Sequence, residues 1–149
     1  MALDQSFIGR SYPATPPYEV AAEKIREFAD AIGESSPLCR DPEQARAAGY
    51  PDVIAPPTFL TLVNIKAIET IISDPELGLD YSRMVHGNQS FTHHRPVHAG
   101  DRIVVLTHVD NITARAGNDF LAVRAEINTV EGEQVATAHA QLVVRGEGV

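Results

Sequence analysis

The architecture of this chain is set by residues 55–73, which read APPTFLTLVNIKAIETIIS. Apolar side chains occur almost all round a helix of this sequence, a pattern typical of a buried helix. Lys66 and Glu69 interrupt the apolar run, which is also shorter than a bilayer requires, so it does not predict a membrane span. We therefore predict a long central helix from about Pro56 to Ser73, with the Pro56-Pro57 pair at its entrance.

Two shorter helices are predicted before the central one. From Ala21 to Ile32 apolar residues recur with the 3.6-residue period of a helix, and Gly33 follows where a left-handed residue commonly ends one. Asp41 and Pro42 supply the cap and the first turn of a second helix. Upstream of both, proline removes backbone donors and restricts its neighbours, so we predict an extended segment around Pro13, Pro16 and Pro17.

Beyond Tyr81 the hydrophobic period changes to two, which is typical of strands. The predicted strands cover residues 85–93, 103–109, 121–127 and 135–144. In the first strand, the residues predicted to share one face are Val85, Gly87, Gln89, Phe91 and His93. Turn signals at Gly117-Asn118 and Glu131-Gly132 make the last three strands an antiparallel meander. Helices and strands are segregated along the chain, which predicts an α+β class with a sheet wrapped around the central helix.

The composition favours one soluble, cytoplasmic domain over residues 1–149, with no membrane partner. Apolar residues make up 44% of the 149, which is enough for a core. The net charge is −8 without a basic stripe, which argues against a nucleic-acid partner. Cys39 is the one cysteine, so no internal disulfide forms, and the first residues lack the basic and apolar regions of a signal peptide.

Two motifs carry a resemblance to a known family. The first is GESSPLCRD at residues 33–41, continued by residues 49–59, and the second is FTHHRPVHAGD at residues 91–101. Together they resemble the MaoC-like hydratase and dehydratase family, and most of all its fatty-acid-synthase-type dehydratase N-terminal branch. That branch includes the non-catalytic subunits of mycobacterial (3R)-hydroxyacyl-ACP dehydratases. The resemblance extends from about Tyr18 to Arg145.

The resemblance implies a hot-dog fold and a dimer, either of two identical chains or with a catalytic MaoC-like chain. It implies reversible hydration of a trans-2-enoyl thioester carried on CoA or on acyl carrier protein (ACP), with no cofactor and no metal. Active members carry an aspartate after the glycine of the first motif and a histidine after its Pro-Leu. A backbone N–H at the entrance of the central helix polarises the thioester carbonyl.

This sequence departs from the family pattern at each of those groups. The aspartate position is Glu34, the histidine position is Cys39, and the amide position falls on Pro57, while Ser36 stands where the family has asparagine. A thiol, with an ordinary pKa of about 8.5, is a poor substitute for a histidine that takes and gives protons near neutral pH. The alternative is that Cys39 is a small buried residue without a catalytic role.

The two other departures also weaken catalysis by this chain alone. Glu34 keeps a carboxylate but moves it by one methylene, and about 1 Å of misplacement can cost about 100-fold in rate. A solvated residue at a helix end explains Glu34 as well. Pro57 has no N–H, and loss of one oxyanion donor costs about 3 kcal/mol. The Thr58 N–H could replace that donor only with a shifted geometry.

Three further residues are candidates for substrate binding. His86 and Gln89 could line a groove for an acyl or pantetheine chain, although exposed histidines need no such role. Arg95 could bind a phosphate of CoA or of the carrier protein, since a guanidinium suits phosphate geometry, or could form a structural ion pair with Asp101. The four histidines between residues 86 and 98 lack the ligand spacing of common zinc sites, so no metal is predicted.

Three functions follow from these residues. The first is a dehydratase-family subunit that binds a 3-hydroxyacyl or enoyl thioester while a second chain supplies proton transfer. The second is a non-enzymatic homodimer that binds acyl thioesters. The third is a self-sufficient hydratase that uses Glu34 and a histidine such as His86.

Overall fold

An antiparallel sheet of five strands curls around one long helix in the computed structural model, which describes residues 3–147. The helices are α1 (Ala22–Ile32), α2 (Pro42–Ala47) and α3 (Thr61–Ile72). The strands are β1 (Tyr18–Glu19), β2 (Met84–His93), β3 (Arg102–Arg115), β4 (Asn118–Thr129) and β5 (Gln134–Val144). They pair in the order β1-β3-β4-β5-β2, so the predicted α+β arrangement is confirmed.

Strands β3, β4 and β5 form the predicted antiparallel meander. Along β4 buried side chains alternate with half-buried ones over the whole strand, so one sheet face packs inward. The β3–β4 turn lies at Ala116 and Gly117, one residue before the predicted Gly117-Asn118. Both residues have positive φ, 53° and 79°, which is the geometry of a two-residue turn that follows the strand twist.

The central helix begins at Thr61, later than the predicted Pro56. Pro57 has no N–H, and the next residues form bonds to carbonyls three positions back, as in a 3₁₀ turn. The Phe59 N–H donates to the Pro56 oxygen at 2.9 Å, and the Thr61 N–H donates to the Thr58 oxygen at 3.0 Å. The entrance of α3 is therefore a tight turn rather than a helical one.

Helix α3 is buried on one side and open on the other. Its core-facing residues are Val63, Asn64, Ala67, Ile68 and Ile71. Ile65 points away from them and is 47% exposed, although the apolar pattern predicts burial all round. Ile65 is therefore an apolar residue of α3 that is available to line a groove on the open side of the helix.

The predicted extended segment before β1 runs along β3. The Gly9 N–H donates to the Val109 oxygen at 2.8 Å, and the Tyr12 N–H donates to the Thr107 oxygen at 2.9 Å. Among residues 3–147, no helix combines the length and the apolar character needed to cross a bilayer.

Candidate functional site

Two adjoining cavities lie at the entrance of α3. The first, which we call the entrance cavity, has a volume of about 400 Å³ and lies between the turn before α3 and the residues that follow β2. The second, the strand groove, has a volume of about 420 Å³ and lies between α3 and β2. Pro57 and His93 line both cavities, so the two spaces meet beside the turn that precedes the helix.

The wall of the strand groove depends on a bulge in β2. The register with β5 shifts between His86 and Asn88, so His86 pairs with Leu142 and Gln89 pairs with Ala140. Leu142 and Ala140 are buried, which places both of their partners on the inner face of the sheet.

This bulge corrects the predicted face of β2. Val85 pairs with Val143 and points to the outer face, whereas His86 joins the inner face. The residues of β2 that line the strand groove include His86, Gln89, Phe91 and His93. The predicted lining residues His86 and Gln89 are thus brought together, but by an irregularity that strict alternation does not contain.

At the entrance of α3, His93 contacts the turn directly. Its Nε2–H donates to the Pro57 carbonyl oxygen at 2.9 Å, and its ring stacks on Phe91 with centroids 6.0 Å apart. The Thr58 N–H donates to no acceptor within residues 3–147, so a free amide does lie beside the blocked Pro57 position.

A buried amide supports the floor of the strand groove. Asn64 on α3 is 2% exposed, and its Nδ2 donates to the Gln89 Oε1 at 3.0 Å. The Asn64 Oδ1 is buried and has no hydrogen-bond partner in residues 3–147. Sequence analysis missed Asn64, and the signal that could have found it was a carboxamide in the middle of an apolar run.

Glu34 organises its own loop. Gly33 ends α1 in the left-handed region at φ 72°, as predicted, and Glu34 follows it. The half-buried Glu34 carboxylate accepts the Ser36 N–H at 3.0 Å, and its backbone oxygen accepts from the Arg40 guanidinium at 2.6 Å. Glu34 lines neither the entrance cavity nor the strand groove.

Cys39 lies in a 3₁₀ turn (Pro37–Cys39) and is 4% exposed. Burial raises the pKa of the Cys39 thiol, the Glu34 carboxylate raises it further, and Arg40 opposes them. Cys39 is thus held as a thiol, unlike a histidine, and like Glu34 it lines neither cavity.

Arg95 forms the ion pair with Asp101 that the sequence suggested. Its two terminal nitrogens donate to the two Asp101 oxygens at 2.8 and 2.9 Å, and its Nε donates to Glu133 at 2.8 Å. Hydrogen bonds from Arg95 to Asp101 and then to Glu133 raise the pKa of Arg95 above its ordinary value. Arg95 borders the entrance cavity, but its donors already have partners, so its predicted phosphate contact would compete with them.

All the ionisable side chains that line the two cavities are basic. The ionisable side chains that line them are His86, His93, His94 and Arg95. No carboxylate lines either cavity within residues 3–147. An imidazole and a carboxylate therefore do not converge here, so the residues that line the two cavities provide no acid–base pair of the kind that hydration of a double bond uses.

The sequence matches a known family of domains. Residues 6–138 match the sequence profile of the FAS1-like dehydratase domain region. The chain belongs to this dehydratase-domain family. It is similar to a "UPF0336 protein" of Saccharopolyspora erythraea, with 69% identity over 98% of this chain and 94% of the relative. A "UPF0336 protein" of Streptomyces avermitilis is 57% identical over 97% of each chain.

Solved structures share the hot-dog fold. A "MaoC-like dehydratase" superposes with a TM-score of 0.87 at 28% identity, and the match covers 95% of this chain and 43% of that one. The truncated HadBC complex of Mycobacterium tuberculosis, a (3R)-hydroxyacyl-ACP dehydratase, gives a TM-score of 0.82 at 28% identity and covers 92% of this chain and 96% of that one. The resemblance to MaoC-like dehydratases and the hot-dog fold are thereby confirmed.

Proposed function

We propose that this chain is the substrate-binding subunit of a (3R)-hydroxyacyl-thioester dehydratase and requires a catalytic partner chain. The observation that carries this proposal is the absence of any carboxylate from the two cavities within residues 3–147, beside a proline at the amide position. Binding surfaces remain where the acid–base groups are missing. The similarity to the HadBC complex supports the same reading.

The strand groove would hold the acyl part of the thioester. Ile65 and Phe91 give it apolar walls, and Gln89, fixed by Asn64, gives it one oriented amide. Acyl sites are mostly apolar with a few positioned polar groups, and this groove has that composition. Because the Thr58 N–H is free, it is the group of this chain that would reach the thioester carbonyl.

The partner would cover the free edge of β2. This strand ends the sheet opposite β1, so the backbone groups along its outer edge have no partner strand within residues 3–147. Tyr81, just before the strand, and Val85, on its outer face, are 69% and 44% exposed. An open edge with apolar neighbours is suited to pairing with a second chain, here a MaoC-like chain that carries the aspartate and histidine.

An enoyl-CoA hydration assay tests the proposal. The purified chain is assayed with crotonyl-CoA and with a longer trans-2-enoyl-CoA, first alone and then with a candidate MaoC-like chain that has an intact Gly-Asp-x-Asn-Pro-x-His stretch. We expect no turnover by this chain alone and faster turnover of the longer substrate by the mixture than by the partner alone.

Two matched pairs of variants separate the groove from the edge. Ile65 is 47% exposed and Ile32 is 49% exposed. Ile65→Arg should abolish the gain with the longer substrate, whereas Ile32→Arg should not. Val85→Arg should prevent assembly with the partner, whereas Val130→Arg, at 38% exposure, should not.

Turnover by the chain alone that Glu34→Gln abolishes would instead establish the self-sufficient hydratase. Thioester binding without turnover, whatever the partner, would leave a non-enzymatic binder.

A further inference from the structure

A third cavity lies on the other flank of α3. We call it the N-terminal cavity; its volume is about 490 Å³ and it lies between the extended segment at residues 13–18 and the helix. The α3 residues that line it are Val63, Lys66 and Thr70, which recur at the spacing of one helix face. It shares no lining residue with the strand groove or the entrance cavity.

The walls of the N-terminal cavity are apolar and fixed in place. Pro13, Pro16 and Pro17 form one side, and Val105 of β3 forms part of the floor. Thr15 holds the segment to β3 with two bonds, because its N–H donates to the Val105 oxygen at 3.0 Å and its Oγ1 accepts the Val105 N–H at 3.0 Å.

Polar groups without partners line this otherwise apolar space. The Lys66 ammonium lies within 4.0 Å of no carboxylate of residues 3–147, whereas Lys24, the other lysine of the chain, pairs with Glu27 at 3.3 Å. The Tyr18 hydroxyl and the Thr70 hydroxyl also form no hydrogen bond within that range. Three side chains that line one cavity thus carry donors without a partner in residues 3–147, and these donors are free to bind an external acceptor.

We propose that the N-terminal cavity binds a monocarboxylate with an apolar body, such as a medium-chain fatty acid. The carboxylate accepts from Lys66 and from the two hydroxyls, and the chain lies along the prolines and Val105. The volume falls in the range of about 300–1,000 Å³ that holds small ligands. This site is separate from the thioester groove, so it goes beyond the proposed function, and either proposal can fail alone.

The direct test is a titration of the ¹⁵N-labelled full chain with sodium octanoate, followed by NMR. We expect saturable shifts at Thr15, Tyr18, Lys66 and Thr70. Because Lys66 is exposed, its ion pair with the ligand is worth little, so Lys66→Met should weaken binding about threefold to fivefold. Lys24→Met is the matched control and should bind as the unaltered chain does. High salt should weaken binding to the unaltered chain more than to Lys66→Met.

A steric variant tests the location independently of charge. Ala14→Trp places a large ring at the exposed rim of the cavity and should abolish the shifts, with unfolding by urea unchanged. Ile65→Arg, on the opposite flank of α3, should leave them intact. The proposal is overturned if octanoate shifts Ile65 and Gln89 instead, if octanol binds as tightly as octanoate, or if Lys66→Met and Lys24→Met bind equally.

Discussion

The imidazole of His93 and the carbonyl of Pro57 are joined by a hydrogen bond of 2.9 Å that ties the last residue of β2 to the turn before α3. Both residues line both cavities of the candidate site. We expect His93→Phe, which keeps the ring but removes the donor, to cost about 0.5–1 kcal/mol of unfolding free energy and to weaken enoyl-CoA binding.

His139 on β5 is the control for that change. It is exposed and lines neither cavity, and its ring forms no hydrogen bond within residues 3–147, so His139→Phe should leave stability and binding nearly unchanged. Urea unfolding and enoyl-CoA titration measure both quantities. Equal behaviour of the two variants would show that the link to Pro57 does not shape the site.

Gly87 permits the bulge that brings His86 into the strand groove. A Cβ at this position would lie 3.1 Å from the Gln141 oxygen and 3.2 Å from a methyl group of Val143, which is tighter than ordinary contact. We expect Gly87→Ala to destabilise the fold by about 1 kcal/mol and to move the His86 resonances, because β2 must shift away from β5. Ser90→Ala, exposed on the same strand, should be nearly neutral in urea unfolding. A stable Gly87→Ala chain with unmoved His86 resonances would contradict this account.

How far the sequence predicts the structure differs from element to element. The core of α3, the meander and the end of α1 at Gly33 follow from hydrophobic period and glycine conformation, which are local properties. The bulge at Gly87 does not, because it depends on how two strands distant in sequence align. Local pattern also gave no sign of the late start of α3, where a 3₁₀-type turn precedes the regular helix that begins at Thr61.

Part of the candidate site could also be predicted from the sequence. Pro57, His86 and Gln89 all line the strand groove; Pro57 stands at the amide position of the family pattern, and His86 and Gln89 are the residues predicted to line a groove. Glu34 and Cys39 line neither cavity; the Glu34 carboxylate bonds the Ser36 N–H instead, and Cys39 packs into the core. Position in a motif fixes where a residue is along the chain, but its side-chain partners decide where it points.

Asn64 holds Gln89 at the cost of a buried oxygen that has no partner within residues 3–147. Asn64→Leu removes the orphaned acceptor but also takes the donor from the Gln89 Oε1; because Gln89 is half-buried, its amide can turn towards water, and the two effects partly offset each other. We therefore expect a change in unfolding free energy of less than about 1 kcal/mol but weaker enoyl-CoA binding, since Gln89 is released. Asn64→Asp, which buries a charge without a cation, should destabilise strongly. An Asn64→Leu chain that is greatly destabilised would mean that the amide mainly supports the core.

The Asp101 carboxylate links pH to stability at the residues that follow β2. Burial alone would raise the pKa of Asp101, but hydrogen bonds from Arg95 and from the His98 N–H outweigh it and lower the pKa below 3.8. The stabilisation is therefore complete above pH 3.8 and is lost as pH falls through the lower pKa of the folded state. We expect Asp101→Asn to cost about 2 kcal/mol at pH 7 and to flatten the loss of stability in acid. Glu133→Gln, at an exposed partner of the same arginine, should have a small effect, and urea unfolding from pH 7 to pH 2 compares the two.

Tyr12 gives the opposite dependence on pH. Burial, followed by a hydrogen bond to Asp74 at 2.9 Å, raises the pKa of Tyr12 to about 12 from 10.0. Because the folded state favours the neutral phenol, this contribution to stability is complete below pH 10 and is lost as pH rises towards about 12. Tyr12→Phe should therefore be less stable by about 1 kcal/mol at pH 7, while its stability should fall less steeply between pH 10 and pH 12. Tyr81→Phe, at the 69% exposed tyrosine, should follow the unaltered chain at both ends of the range. Parallel alkaline profiles for Tyr12→Phe and the unaltered chain would show that the bond to Asp74 does not govern the ionisation of Tyr12.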